Sequence, residues 1–275
     1  VKKILISALM TATLCAGCED AERAAFYILQ PDDYPHLESG DTRYAFAEQT
    51  GMVVCNAALD PERVREHFPH ALVLAAFSSH SKPIWGANNA FWNEFRLELE
   101  SVPVFPVGDW PNTLELRLSR SGGMYLADAI LDVVDFGKGG YDGLYLDECW
   151  AFLPPRIRDL TGQTQRDWEA HAEGFFAQWE MRKGPPILGN VGSMKNGADE
   201  RILAYPLRGV SVEAAHVKPP HNEPLELMTA ENLFTEHDAA WCVAWGWEPL
   251  KARARYGIHR RATNIPEPTP GAIVE

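Results

Sequence analysis

Asp147 and Glu148 stand side by side near the end of "GGYDGLYLDECW", directly after Leu144, Tyr145 and Leu146. An apolar strand that runs into two carboxylates needs a reason, because each costs several kcal/mol to bury unpaired. Glu213 ends another apolar run in "GVSVEAA", and Asn190 closes a third in "ILGNVG". Two carboxylates across a cleft are what hydrolysis of a glycosidic bond requires. One is protonated and assists the leaving oxygen; the other is ionised and attacks the anomeric carbon or activates water. Their surroundings must hold the two proton affinities apart. Trp150, Trp245 and Trp247 supply rings suited to stacking on sugar faces, with core packing as the alternative use of each. Arg117 and Ser119 offer donors for a substrate hydroxyl, or alternatively serve the strand face. Alternation along a strand turns Glu148 away from Asp147. That assigns it to a helix cap or a salt bridge, and Glu148→Gln is expected to be nearly silent.

Other chemistries find less support. His216, His221 and His237 lack zinc-site spacing, there is no HExxH, and the cysteines beyond Cys18 (Cys55, Cys149 and Cys242) form no CxxC pair, so neither metal nor cofactor is expected. "FSSH", with Ser78, Ser79 and His80, lacks the GxSxG elbow of a serine hydrolase.

Positioning such groups falls to a repeated pattern of a short apolar run followed by a segment of helical period. "GMVVCNAAL", "HALVLAAFSSH", "TLELRLSR", "DGLYLDE", "PPILGNVG" and "LRGVSVEAA" read as six strands, and "AAWCVAWGW" as a seventh. "DPERVREHF", "NNAFWNEFRLEL", "GGMYLADAILDVVDFG" and "TQRDWEAHAEGFFAQWEMRKG" read as helices between them. Alternating strands and helices imply a parallel sheet. No GxGxxG follows the first strand. The pattern predicts a (β/α)8 TIM-type barrel, with an open α/β sheet as the rival. Its last unit is the irregular one, since "YGIHRRATNI" is polar and "PEPTPGAIVE" is proline-rich. In a barrel, Asp147, Asn190 and Glu213 end consecutive strands at the mouth where active sites gather.

"GGYDGLYLDE" resembles the (F/Y)-D-G-hydrophobic-(F/Y)-L-D segment of glycoside-hydrolase-like barrels of the endo-α-1,4-polygalactosaminidase group. The likeness covers about residues 110–216. In that group a later strand ends in a glutamate that pairs with the aspartate. The resemblance thus implies Asp147 and Glu213 as the catalytic pair, and Asp142 as a turn former rather than a catalyst.

The chain of 275 residues has a formal charge of −13. This speaks against nucleic acid and anionic membrane surfaces as partners. "VKKILISALMTATLCAGC" combines Lys2 and Lys3 with an apolar run over residues 4–17, too short to span a bilayer as a permanent helix. Small residues before Cys18 resemble a lipobox, with Cys18 acylated; a buried N-terminal strand is the alternative. The expected organisation is a signal peptide or lipoprotein signal over 1–18, a tether and lead-in over 19–50, the barrel over 51–265 and a tail over 266–275. Cys55, Cys149 and Cys242 allow at most one bridge. The expected function is an exported glycoside hydrolase acting on a polysaccharide, held at the membrane only through Cys18. The alternative is a carbohydrate-binding or structural barrel without turnover.

Overall fold

The structure is a computed structural model that describes residues 25–29, 50–84, 89–106, 113–192, 205–213, 241–248, 253–259 and 273–274. β1 (Ala25–Leu29) falls in the stretch expected as tether and lead-in. β2 (Thr50–Asn56) follows, then α1 (Pro61–His67), opened by the Asp60 carboxylate accepting from Glu62 N at 2.9 Å, with Pro61 in the first turn. After β3 (Leu72–Ser78) come β4 (Ser81–Pro83), α2 (Ala90–Glu98), β5 (Val104–Phe105) and β6 (Thr113–Leu116). α3 (Arg120–Val133) leads to β7 (Gly143–Asp147), and α4 (Pro155–Thr161) and α5 (Gln165–Met181) lead to β8 (Ile187–Gly192). β9 (Gly209–Glu213), β10 (Trp241–Glu248), β11 (Arg253–His259) and β12 (Ile273–Val274) complete the described elements.

The main sheet has the order β1-β2-β3-β7-β8-β9-β10-β11-β12. Each pair from β1 to β10 is parallel, whereas β10–β11 and β11–β12 are antiparallel. The fold is therefore mixed α/β with a largely parallel sheet. "YGIHRRATNI" supplies part of a hairpin partner to β10 rather than an eighth parallel strand. Turning back beside β10 also brings β11 close to β1.

One expected strand belongs elsewhere. "TLELRLSR" contributes β6, which pairs antiparallel with β4 and β5 in a separate three-stranded sheet, while β3 pairs directly with β7. The physical reason is visible in the residues. Parallel strands covered on both faces are continuously apolar, as Leu144, Tyr145 and Leu146 are. "TLELRLSR" alternates leucines with charges, which departs from the continuous apolar run of a parallel strand covered on both faces, and its Glu115 is buried only because it meets His80.

Burial on β2, β3 and β7 divides by parity. Val53, Cys55, Val73, Ala75, Leu144 and Leu146 join one core with Val64, Phe95, Leu126, Ile130, Phe175 and Trp179 from the helices. The alternate residues Met52, Val54, Leu74, Tyr145 and Leu188 are also buried but stand outside that core, on the opposite sheet face. Asp147 and Asn190 continue this second series, two residues beyond Tyr145 and Leu188. Of the helices, α3 and α5 pack the most intimately. A side chain at Gly123 would collide with the backbone carbonyl of His171, and one at Gly174 with that of Arg120. Two glycines thus let the helices meet backbone to backbone.

Candidate active site

Strand register places the polar residues. Ser78 on β3 is the partner of Asp147 on β7. Asn190 on β8 pairs with Ser211 on β9, two residues before Glu213, and Glu213 pairs with Trp245 on β10. Parallel neighbours share a face and strand ends share an edge. Ser78, Asp147, Asn190 and Glu213 thus occupy the C-terminal edge of four consecutive strands. The side chains of Glu213 and Trp245 lie outside the described residues, as do Cys18, His216, His221 and His237.

Asp147 is half-buried, and its Oδ1 accepts two hydrogen bonds: from Asn190 Nδ2 at 2.7 Å and from Glu148 N at 2.9 Å. The chain then breaks out of the strand. Glu148 has φ 58°, a left-handed conformation uncommon for a residue with a side chain. Simple alternation therefore fails at this point. The Glu148 carboxylate reaches Ser78 Oγ, which donates to Oε2 at 2.6 Å, and His80 Nε2 at 3.0 Å. Its role is the salt bridge expected from sequence, with a partner that sequence did not reveal.

His80 sits fully buried between two glutamates. Nδ1 meets Glu115 Oε2 at 2.7 Å, and Nε2 faces Glu148. Burial by itself would lower the imidazole's proton affinity. The Glu148 charge, the hydrogen bonds to both glutamates and the Glu115 charge outweigh it, and the His80 pKa is pushed up to about 10. His80 is therefore an imidazolium, with its Nδ1–H donating to Glu115 and its Nε2 ion-paired with Glu148. The rings of Trp150 and Trp168 lie 5.5 Å and 5.4 Å from it and stack on one another. His171 on α5 has the opposite character. Burial, reinforced by the nearby His80 charge, lowers its pKa to about 4 against the hydrogen bond to the Ser79 carbonyl. It is neutral, with Nε2 donating to Ser79 O at 2.9 Å.

The residues around this turn divide clearly. Asp147 and Asn190 are brought together; Trp150 follows them, half-buried. A cavity of about 20 Å³ behind Trp150, bounded by Cys149, Trp168 and His171, has room for about one water, far too little for a sugar ring. Arg117 is exposed just past β6, with its guanidinium 5.0 Å from the centre of the Phe105 ring. Ser119 caps α3 by accepting from Gly122 N. Asp142 is a structural residue, accepting from Val73 N and Arg65 below β7. Cys55 and Cys149 are free, buried thiols, with burial pushing both thiol pKa values up. Sequence reasoning missed the Glu115–His80–Glu148 arrangement. Its signals were an acid at a buried position of an alternating strand and a histidine in "FSSH", and neither names the other.

No protein-family model matches the chain, and a search of curated proteins finds no match. Among solved structures, the chain is similar to the glycoside hydrolase domain of PelA from Pseudomonas aeruginosa, at 18% identity, 84% coverage of this chain, 72% of that one and a TM-score of 0.44. It is similar to Aspergillus fumigatus Ega3, solved in complex with galactosamine, at 14% identity, coverages of 82% and 75% and a TM-score of 0.46. It is also similar to a GH10 endoxylanase retrieved from a sugarcane soil metagenome, at 9% identity, coverages of 81% and 68% and a TM-score of 0.36.

Proposed function

We propose that this chain is an exported glycoside hydrolase that cleaves glycosidic bonds in a polysaccharide, with Asp147 and Glu213 as its carboxylate pair. The observation that carries the reading is the Asp147–Asn190 hydrogen bond at the ends of β7 and β8, with Glu213 ending the next parallel strand. Two N–H donors on Oδ1 suit a carboxylate that works ionised. Asp147 attacks the anomeric carbon, or takes a proton from the attacking water. Glu213 delivers its proton to the leaving glycosidic oxygen. The separation of the two carboxyl groups decides which route is followed and so the anomeric outcome. Asn190 holds Asp147 in place at the substrate-binding end of the strands. Trp150 and Trp245 provide ring faces for the sugar, and Arg117 is an outer contact. In this reading the sheet is a TIM-type barrel that closes where β11 meets β1.

Export rests on the first eighteen residues, with Cys18 as the lipid-bearing residue. In a bacterial host, Cys18→Ser should move the protein from the membrane fraction to the soluble fraction; equal partitioning of both forms contradicts the anchor. Among the described residues, no helix is long and apolar enough to cross a membrane. The activity is tested by incubating the protein with a panel of amino-sugar and neutral polysaccharides and following new reducing ends. Release by the native chain and none by Asp147→Asn supports the reading. Binding without release favours the carbohydrate-binding alternative.

A further inference from the structure

The Asp147–Glu148 turn is gripped by one short run of chain. Ser79 N donates to Asp147 O at 3.0 Å, and Ser79 Oγ to Glu148 O at 2.8 Å. Ser78 Oγ and His80 Nε2 both meet Glu148 Oε2. From the far side, Glu115 on β6 fixes the imidazole through Nδ1. Every one of these contacts ends on the turn that aims Asp147 or on the histidine that serves it. A buried Glu–His–Glu array is poor glue, because well-packed apolar groups of similar volume stabilise as well or better. A non-glycine residue held at positive φ beside a candidate catalytic carboxylate is a strained position that its surroundings must enforce.

We infer that His80 is a positioning residue for Asp147. It acts through Glu148, whose left-handed turn sets the Asp147 carboxylate against Asn190, and it is locked in place by Glu115 from the small sheet. This inference rests on the reading of Asp147 as the working carboxylate. The groups facing His80 are Glu115 from β6, Ser78 and Glu148 from the strand ends, Trp150, and Trp168 and His171 from α5. Those at Asp147 are Asn190 from β8 and the Cys149 thiol beside it. The small sheet, inserted between β3 and α3, thereby gains a purpose. It carries the glutamate that fixes the device.

The test has an arm that needs no substrate. In an amide nuclear magnetic resonance spectrum, the Asn190 side-chain hydrogens report the bond to Asp147. His80→Gln should shift that Asn190 signal to the position it takes in Asp147→Asn and remove its exchange protection. Glu115→Gln, which keeps an acceptor for Nδ1 but not the charge, should produce the same change to a smaller degree. It also serves as the readout if His80→Gln fails to fold. An Asn190 signal unchanged in a folded His80→Gln or in Glu115→Gln overturns the inference. In the activity arm, each variant should lower kcat about tenfold with KM within about twofold, since an interaction confined to the transition state is lost. On an Asp147→Asn background, His80→Gln should then lower the rate no further. A raised KM at unchanged kcat, or an additive rate loss, overturns it too. Should Asp147→Asn keep full turnover while His80→Gln still shifts Asn190, the positioning device stands and the assignment of Asp147 as the working carboxylate falls.

Discussion

Two buried histidines of opposite character should give this protein a stability maximum near pH 6.5, and the alkaline side can be worked through from His80. Its folded pKa of about 10 lies above the usual value of 6.5. A raised value means that the native state holds a proton the unfolded chain releases. The His80 contribution is therefore complete below pH 6.5 and is lost as pH rises from 6.5 toward 10. One proton of difference corresponds to about 1.4 kcal/mol per pH unit at most. The imidazole is buried, so solvent screening reduces this little, and a loss on the order of 2 kcal/mol between pH 6.5 and 8.5 follows. The raised Cys55 and Cys149 thiols add a loss of the same sign only toward pH 9, which sets the upper end of the useful window. On the acid side the sign reverses. The lowered pKa of His171 means that the unfolded chain gains a proton the native state refuses, so stability falls from pH 6.5 down to about 4. Urea unfolding at half-unit intervals from pH 5 to 9 measures both limbs. His80→Gln should flatten the alkaline limb and His171→Phe the acid limb. An alkaline slope equally steep in a folded His80→Gln protein would refute the assignment of a buried imidazolium at this position.

Further expectations follow from the same contacts. Glu148→Gln, nearly silent by strand alternation, should instead destabilise the fold by about 3 kcal/mol in urea unfolding, since it strips one carboxylate from a buried charged array. Gly123→Ala and Gly174→Ala should each cost about 1–3 kcal/mol, despite alanine's better helix propensity, because the new methyl group meets the backbone of the opposing helix. Trp150→Ala should raise KM for a cleaved polysaccharide more than it lowers kcat. Its ring flanks the strand ends without belonging to the Asp147–Asn190 contact.

Much of the frame was legible in the residues. Asp60 caps its helix as the acid-proline opening of "DPERVREHF" anticipates. Asn89, Ser119 and Thr164 are caps that only the structure reveals, with Thr164 and Asp167 forming a reciprocal capping box and Ser119 opening a helix rather than serving a strand face. The continuous apolar runs of β2, β3, β7 and β8 read as covered parallel strands, and they are. Asp147 and Asn190 were legible as strand-end groups because each follows such a run. Sequence went astray where pairing rather than period decides. β6 has strand composition, but only its antiparallel partners reveal that it sits in a second sheet. Ala25–Leu29 is too short a run to declare itself before its bond to β2 is known. Glu148 forms the salt bridge expected of it, but alternation assumes an extended backbone, and the positive φ found there leaves no trace in an ordinary glutamate. Glu115 lies 35 positions from His80, and Glu148 lies 70 from Ser78, and no local pattern encodes contacts of that range.

The catalytic reading meets its most direct test in one comparison of turnover. Native protein, Asp147→Asn, Glu213→Gln and the Asp147→Asn/Glu213→Gln double variant would be assayed on whichever polysaccharide of the panel is cleaved, with unfolding curves run alongside. The half-buried Asp147 carboxylate contributes little packing, so Asp147→Asn should stay within about 1 kcal/mol of native stability. Each single variant should lose turnover by at least about a hundredfold, and the double variant little more than the worse single, because the two groups act on one step. Cleavage at native rate by a folded Asp147→Asn or Glu213→Gln protein would contradict the carboxylate pair.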